Sequence, residues 1–176
     1  MDIVNHFFTR ATVLNARAEY LLALIACVTT MIAHWPALNV WLAAALFAYI
    51  DLFSTVPGLV AFHMSADGRI SKAYYVLYDV LHSAVTQGLV VAVLVAEFDF
   101  QWSFLAIPVH LCIDRGAFNN YPKPFGVAFD PVPHPAFERF RHEYAAFDGG
   151  RADWKAIKRA AAGSKSHRLV ATGSQR

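Results

Sequence analysis

"LNVWLAAALFAYIDLFSTVPGLVAF", residues 38–62, contains a single ionisable side chain, Asp51. A helix needs about 17–25 mostly apolar residues to cross a bilayer. A helix on a soluble bundle would instead show a polar face at helical period, and this run shows almost none. It therefore reads as a membrane span. Three more runs read the same way, at about 20–34, 73–96 and 102–118. The first and last of these are short or interrupted. The expected fold is all-α: a polytopic membrane protein built as a four-transmembrane-helix bundle.

Composition agrees. Hydrophobic residues make up 57% and charged ones 16%, against about 45–50% and about 25% in soluble domains. Mean hydropathy is +0.38. The N-terminus lacks a compact basic region followed by an apolar core and a small-residue cleavage site, so no cleaved signal peptide is expected. Cys27 and Cys112 both lie in apolar runs and read as small buried hydrophobes, not as a disulfide framework or a thiolate metal site.

Charge distribution orients the bundle. All 15 Lys and Arg residues lie before the first span, between the second and third, or from Arg115 onward. The links "HWPAL" and "EFDFQW" have none. Under the positive-inside rule the basic side is cytoplasmic, so both termini face the cytoplasm of a cell (inner) membrane. The expected divisions are an interfacial segment at 1–16, the bundle at 17–120, and a Pro-rich cytoplasmic segment at 121–135. Amphipathic and basic helices follow at 136–162, then a disordered tail at 163–176. The basic residues carry no recognisable nucleic-acid motif, which argues against such a partner.

Depth along the helices gathers the polar residues. Asp51 comes late in a span running towards the cytoplasm, Asp79 and His82 early in one leaving it, and His110 and Asp114 late in one returning. All five fall in one cytoplasmic layer, with Glu19 closer to water and Arg115 at its lip. Asp79/His82 and His110/Asp114 have spacings that share a helix face. Ionisable groups in spans turn inwards and pair. Three roles suit them. The first is a metal site for zinc, iron or manganese, with ligands from Asp51, Asp79, His82, His110 and Asp114, and Glu19 as a further candidate. The second is a polar network fixing helix packing. The third is an ion or proton pathway, which the nearly apolar outer half argues against.

Other features have plainer readings. Tyr74, Tyr75 and Tyr78 suit an interfacial aromatic belt. "SADGR" at 65–69 is a turn, and Pro57 and Pro108 are expected to kink their spans.

The motifs "YIDLFSTVPG", "YDVLH" and "HLCIDRGAFNNYPK" also resemble a family of small four-span bacterial membrane proteins known only as a domain of unknown function. The similarity covers roughly 17–135. It departs at Asp79, where the family carries Asn, and at "PKPFG", where the family is richer in glycine. The resemblance implies the four-span fold and a shared polar site at His82, His110, Asp114 and Arg115, but no activity.

The leading expectation is a membrane enzyme acting on a lipid-like or amphipathic small molecule. His82, His110 and Asp114 would serve as ligands or acid–base groups, and Arg115 would hold an anionic head group. The alternative is a non-catalytic accessory or scaffold protein that binds a protein partner through its C-terminal tail.

Overall fold

The computed structural model describes residues 10–125 and 128–130, with 136, 138–140 and 142–143. The chain divides into two compact units, Met1–Val132 and Pro133–Arg176. In the second unit the described positions are helical, within the segment expected to be an amphipathic helix. The rest of that helix, the basic helix, the tail and most of the N-terminal segment lie outside the described residues.

The first unit is all-helical among its described residues, so the all-α expectation holds. Helix α1 spans Arg10–Ala33, α2 Val40–Phe53, α3 Thr55–Met64, α4 Lys72–Leu81, α5 Ala84–Phe98 and α6 Ala106–Ile113. Two helices are long and apolar enough to cross a membrane, Thr12–Ala33 and Val40–Met64. A third candidate is the pair α4 and α5, bent by 56° at its break. The expected fourth span is not a continuous α-helix. It enters as a 3₁₀ turn at Trp102–Leu105, continues as the short α6, and ends in a π turn at Asp114–Phe118.

Polarity is inverted relative to a water-soluble bundle. Short α6 packs against α1, α2 and α5 and buries Ile107, Val109, His110 and Leu111. Leu22, Ile32, Trp41, Val85 and Leu89 stand exposed on the surrounding helices. Many large apolar side chains facing outwards, with His82, Gln87, His110 and Asp114 buried inside, suit a lipid environment.

The two prolines expected to kink their spans lie at helix starts. Pro57 sits in the first turn of α3, where its ring excludes the carbonyl of Phe53, and α2 stops at that residue. Pro108 sits in the first turn of α6, where a missing N–H costs nothing.

The break between α4 and α5 is closed from several sides. The Gln87 amide donates to the Leu81 carbonyl at 2.6 Å, and the Tyr49 hydroxyl donates to the Gln87 side-chain oxygen. Arg115 donates to the His82 carbonyl at 3.0 Å. In the loop before α4, Asp67 accepts from the Arg69 amide at 3.0 Å and the Ser65 hydroxyl at 2.9 Å, which holds its carboxyl below the usual range. Gly68 supplies the positive φ of 69° that this turn needs.

After the π turn, Asn119 adopts the left-handed conformation that often ends helices. The chain then runs without regular structure across one end of the bundle. Asp79 anchors it by accepting from the Lys123 amide at 2.6 Å. The Phe129 ring, fully buried against Tyr75 and Tyr78, lies on Gly58. A Cβ at Gly58 would stand 2.1 Å from that ring, so only glycine admits it. Burying one such ring contributes about 2–3 kcal/mol. At the same end, Arg17 of α1 donates to the carbonyls of Gly116 at 2.8 Å and Ala117 at 3.1 Å.

Candidate metal centre

Four of the singled-out side chains converge. Asp51 comes from α2, His82 from the break between α4 and α5, His110 from α6 and Asp114 from the start of the π turn. His82 Nε2 lies 3.4 Å from Asp51 Oδ1 and 3.3 Å from Asp114 Oδ2. His110 Nε2 lies 3.7 Å from Asp51 Oδ2 and 3.4 Å from the same Asp114 Oδ2. Carboxylate and imidazole thus alternate around a closed ring of donor atoms. Donor atoms of Asp51, His82 and His110 all fall within 4.8 Å of one another. His82, His110 and Asp114 are buried, whereas the Asp51 side chain is 46% exposed.

The tautomer of His82 follows from its other nitrogen. Nδ1 lies 3.0 Å from the Tyr78 carbonyl, which can only accept, so Nδ1 carries the proton. In the neutral ring, Nε2 then presents a lone pair to two carboxylate oxygens. Such an arrangement is repulsive unless the ring takes a second proton or a cation lies between the groups. A histidine that holds its distal N–H on a backbone carbonyl and aims the other nitrogen at a common point has the arrangement of a metal ligand. The Tyr78 ring stacks on the imidazole at 3.9 Å and fixes its plane.

His110 is held edge-on by Phe47 at 4.8 Å. Both of its ring nitrogens, together with Asp114 Oδ2, are buried without a hydrogen-bond partner among the described residues. Buried polar atoms are ordinarily satisfied. His110 Nε2 and Asp114 Oδ2 lie 3.4 Å from each other, so a proton on the ring or a cation beside both atoms would satisfy them.

The remaining expected residues go elsewhere. Glu19 is exposed on α1 and stands outside the group. Asp79, three residues before His82, turns to the Lys123 amide. Arg115 donates to the Tyr20 hydroxyl at 3.1 Å and stacks over that ring at 5.3 Å, besides bonding the His82 carbonyl. It braces a ligand's backbone.

Next to the centre lies a cavity of about 370 Å³, with Asp51 and Asp114 in its wall. Tyr78, Asn120, Lys123 and Asp130 add polar lining, and Leu59, Phe118 and Phe129 add apolar lining. Thr55 also lines it and donates to Asp51 Oδ1 at 2.6 Å. The sequence reading missed Thr55 and Lys123 as site residues. Four-residue spacing from Asp51 could have suggested Thr55, but no periodic signal brings Lys123 to the cavity.

No family model, curated protein or solved structure matches the chain. The likeness to four-span proteins of unknown function rests on the motifs alone.

Proposed function

We propose that this chain is a four-span enzyme of a bacterial inner membrane, with both termini cytoplasmic and a divalent cation held by His82, His110, Asp114 and Asp51. Its substrate is a lipid-like or amphipathic small molecule, bound in the adjoining cavity. One observation carries the metal assignment: each imidazole Nε2 lies 3.3–3.7 Å from an oxygen of both carboxylates, one shared oxygen of Asp114 and a different oxygen of Asp51 for each ring. Zinc bonds N and O donors at about 2.0–2.2 Å, which puts neighbouring ligand atoms roughly this far apart. Two neutral imidazoles and two carboxylates also sum to a charge that a divalent cation cancels.

Such a cation supplies Lewis-acid activation of a substrate oxygen, or of water. The chain's own groups do the rest. His82 and His110 provide buried nitrogen donors, and Asp114 neutralises charge between them. Asp51, half-exposed and held by Thr55, is the carboxylate placed to receive a proton from a molecule in the cavity.

The test is elemental mass spectrometry on protein purified in detergent without chelators. The parent should carry close to one zinc, iron or manganese per chain. His82→Ala and His110→Ala should each lose it while keeping the parent's helical circular dichroism. A parent that is metal-free and takes up no zinc on titration would sink the metal assignment.

A further inference from the structure

The cavity beside the four-residue centre has one cation among its described lining residues, Lys123. Its position is built from several directions. Pro122 and Pro124 flank it and restrict its backbone. Its amide is anchored on Asp79. Its ammonium lies 4.6 Å from the centroid of the Tyr78 ring and 5.2 Å from that of Phe129. Tyr78 is also the ring stacked on His82. The ammonium is thus separated from the imidazole by little more than one aromatic side chain.

Charge then identifies the class of molecule that fits. Asp51 and Asp114 would be neutralised by the cation proposed above, and the deepening argued here rests on that reading. Asp130 and Lys123 balance each other, which leaves the cavity without excess negative charge. The ammonium at the wall suits an oxyanion, which can pair with it directly. Lysine recognises phosphate as a point charge. Arg115, the residue expected to hold an anionic head, lies outside the described lining and is already bonded to His82 and Tyr20. The rest of the wall mixes Thr55, Tyr78 and Asn120 with three apolar residues. Leu59 and the 60% exposed Phe118 carry its apolar part out to the molecular surface, with buried Phe129 behind them.

From this juxtaposition we infer that the cavity binds the anionic oxygen head group of an amphiphile, a phosphate or carboxylate, with Lys123 as its counter-charge and Leu59, Phe118 and Phe129 against its chain. Lys123 is a binding residue for the head group, and the role expected of Arg115 passes to it.

Calorimetric titration of the zinc-loaded full chain in maltoside micelles tests the inference. The probes are methyl phosphate, hexyl phosphate, heptanoate and hexyltrimethylammonium. Hexyl phosphate or heptanoate should bind, at least tenfold more tightly than hexyltrimethylammonium. Hexyl phosphate should also bind about tenfold more tightly than methyl phosphate. Lys123→Gln should weaken the anionic probe at least fivefold, and Lys123→Arg should restore most of the loss. Failure of both anionic probes to bind, or binding indifferent to Lys123→Gln, overturns the inference. Equal affinity for methyl and hexyl phosphate overturns its amphiphile part and leaves a soluble phosphate as the ligand. Zinc content measured on the same samples separates these outcomes from failure of the metal centre, since a parent that holds zinc yet binds no anion refutes only the substrate class.

Discussion

Asp51 and Asp114 are chemically identical but differently placed, and the difference assigns them different weights. Asp114 presents one oxygen to both imidazoles at 3.3 and 3.4 Å, from a side chain only 12% exposed. Asp51 divides its two oxygens between the same rings at 3.4 and 3.7 Å, while nearly half exposed to the cavity. Removing the charge from the buried carboxylate leaves the centre without internal compensation. Removing it from the exposed one leaves room for water to take its place. Loss of partners that only orient a ligand costs about 10–100-fold in metal affinity. Asp114→Asn should therefore weaken zinc by more than about 100-fold, and Asp51→Asn by clearly less, in competition titrations against a chromophoric chelator. Equal losses, or a greater loss for Asp51→Asn, would contradict this ranking.

At the scale of elements, the site depends on a helix that stops. His82 caps α4, its amide still bonded to the Tyr78 carbonyl at 2.8 Å, and the backbone then turns by 56° into α5. The turn delivers His82 to the centre, and Asp79 anchors the segment after the π turn. Arg115 stabilises the turn by capping the His82 carbonyl while bracing against Tyr20 on α1. Its planar guanidinium serves both partners, which an ammonium cannot do as well. Arg115→Ala should lower metal affinity about 10–100-fold with helical content unchanged, and Arg115→Lys should fall between it and the parent. An unchanged affinity in Arg115→Ala would show that the π turn alone positions His82. Depth along the chain brought Asp51, His82, His110 and Asp114 to one layer before any coordinates were needed, because rise per residue is nearly constant in a helix. Depth says nothing about rotation around a helix or about where it breaks, and so Asp79 and Glu19 entered the candidate set. Lys123 and the Phe129–Gly58 contact belong to a non-periodic segment, and periodic patterns cannot anticipate them.

The whole molecule carries a polarity in charge as well as in hydrophobicity. Arg69 and Lys72 lie in or beside the loop between α3 and α4, and Arg17, Arg115 and Lys123 join the termini in the basic set. The Trp35–Ala37 turn and the segment around Asp99 contain no Lys or Arg. Basic residues resist transfer across the inner membrane, and the bias in short loops sets orientation. In the orientation proposed above, the centre and its cavity would lie towards the cytoplasmic leaflet, where an amphiphile made in the cell would be met. Single-cysteine labelling in a Cys27→Ala, Cys112→Ala background checks this, because both native cysteines lie in helices of the bundle. In intact cells with a permeable outer envelope, Asp99→Cys should react with a membrane-impermeant maleimide. Ala66→Cys should react only after the inner membrane is opened. The reverse pattern would put the centre on the outer side, and its substrate would then be sought among molecules outside the cytoplasm. Labelling of both positions in intact cells would contradict a protein that spans the membrane between them.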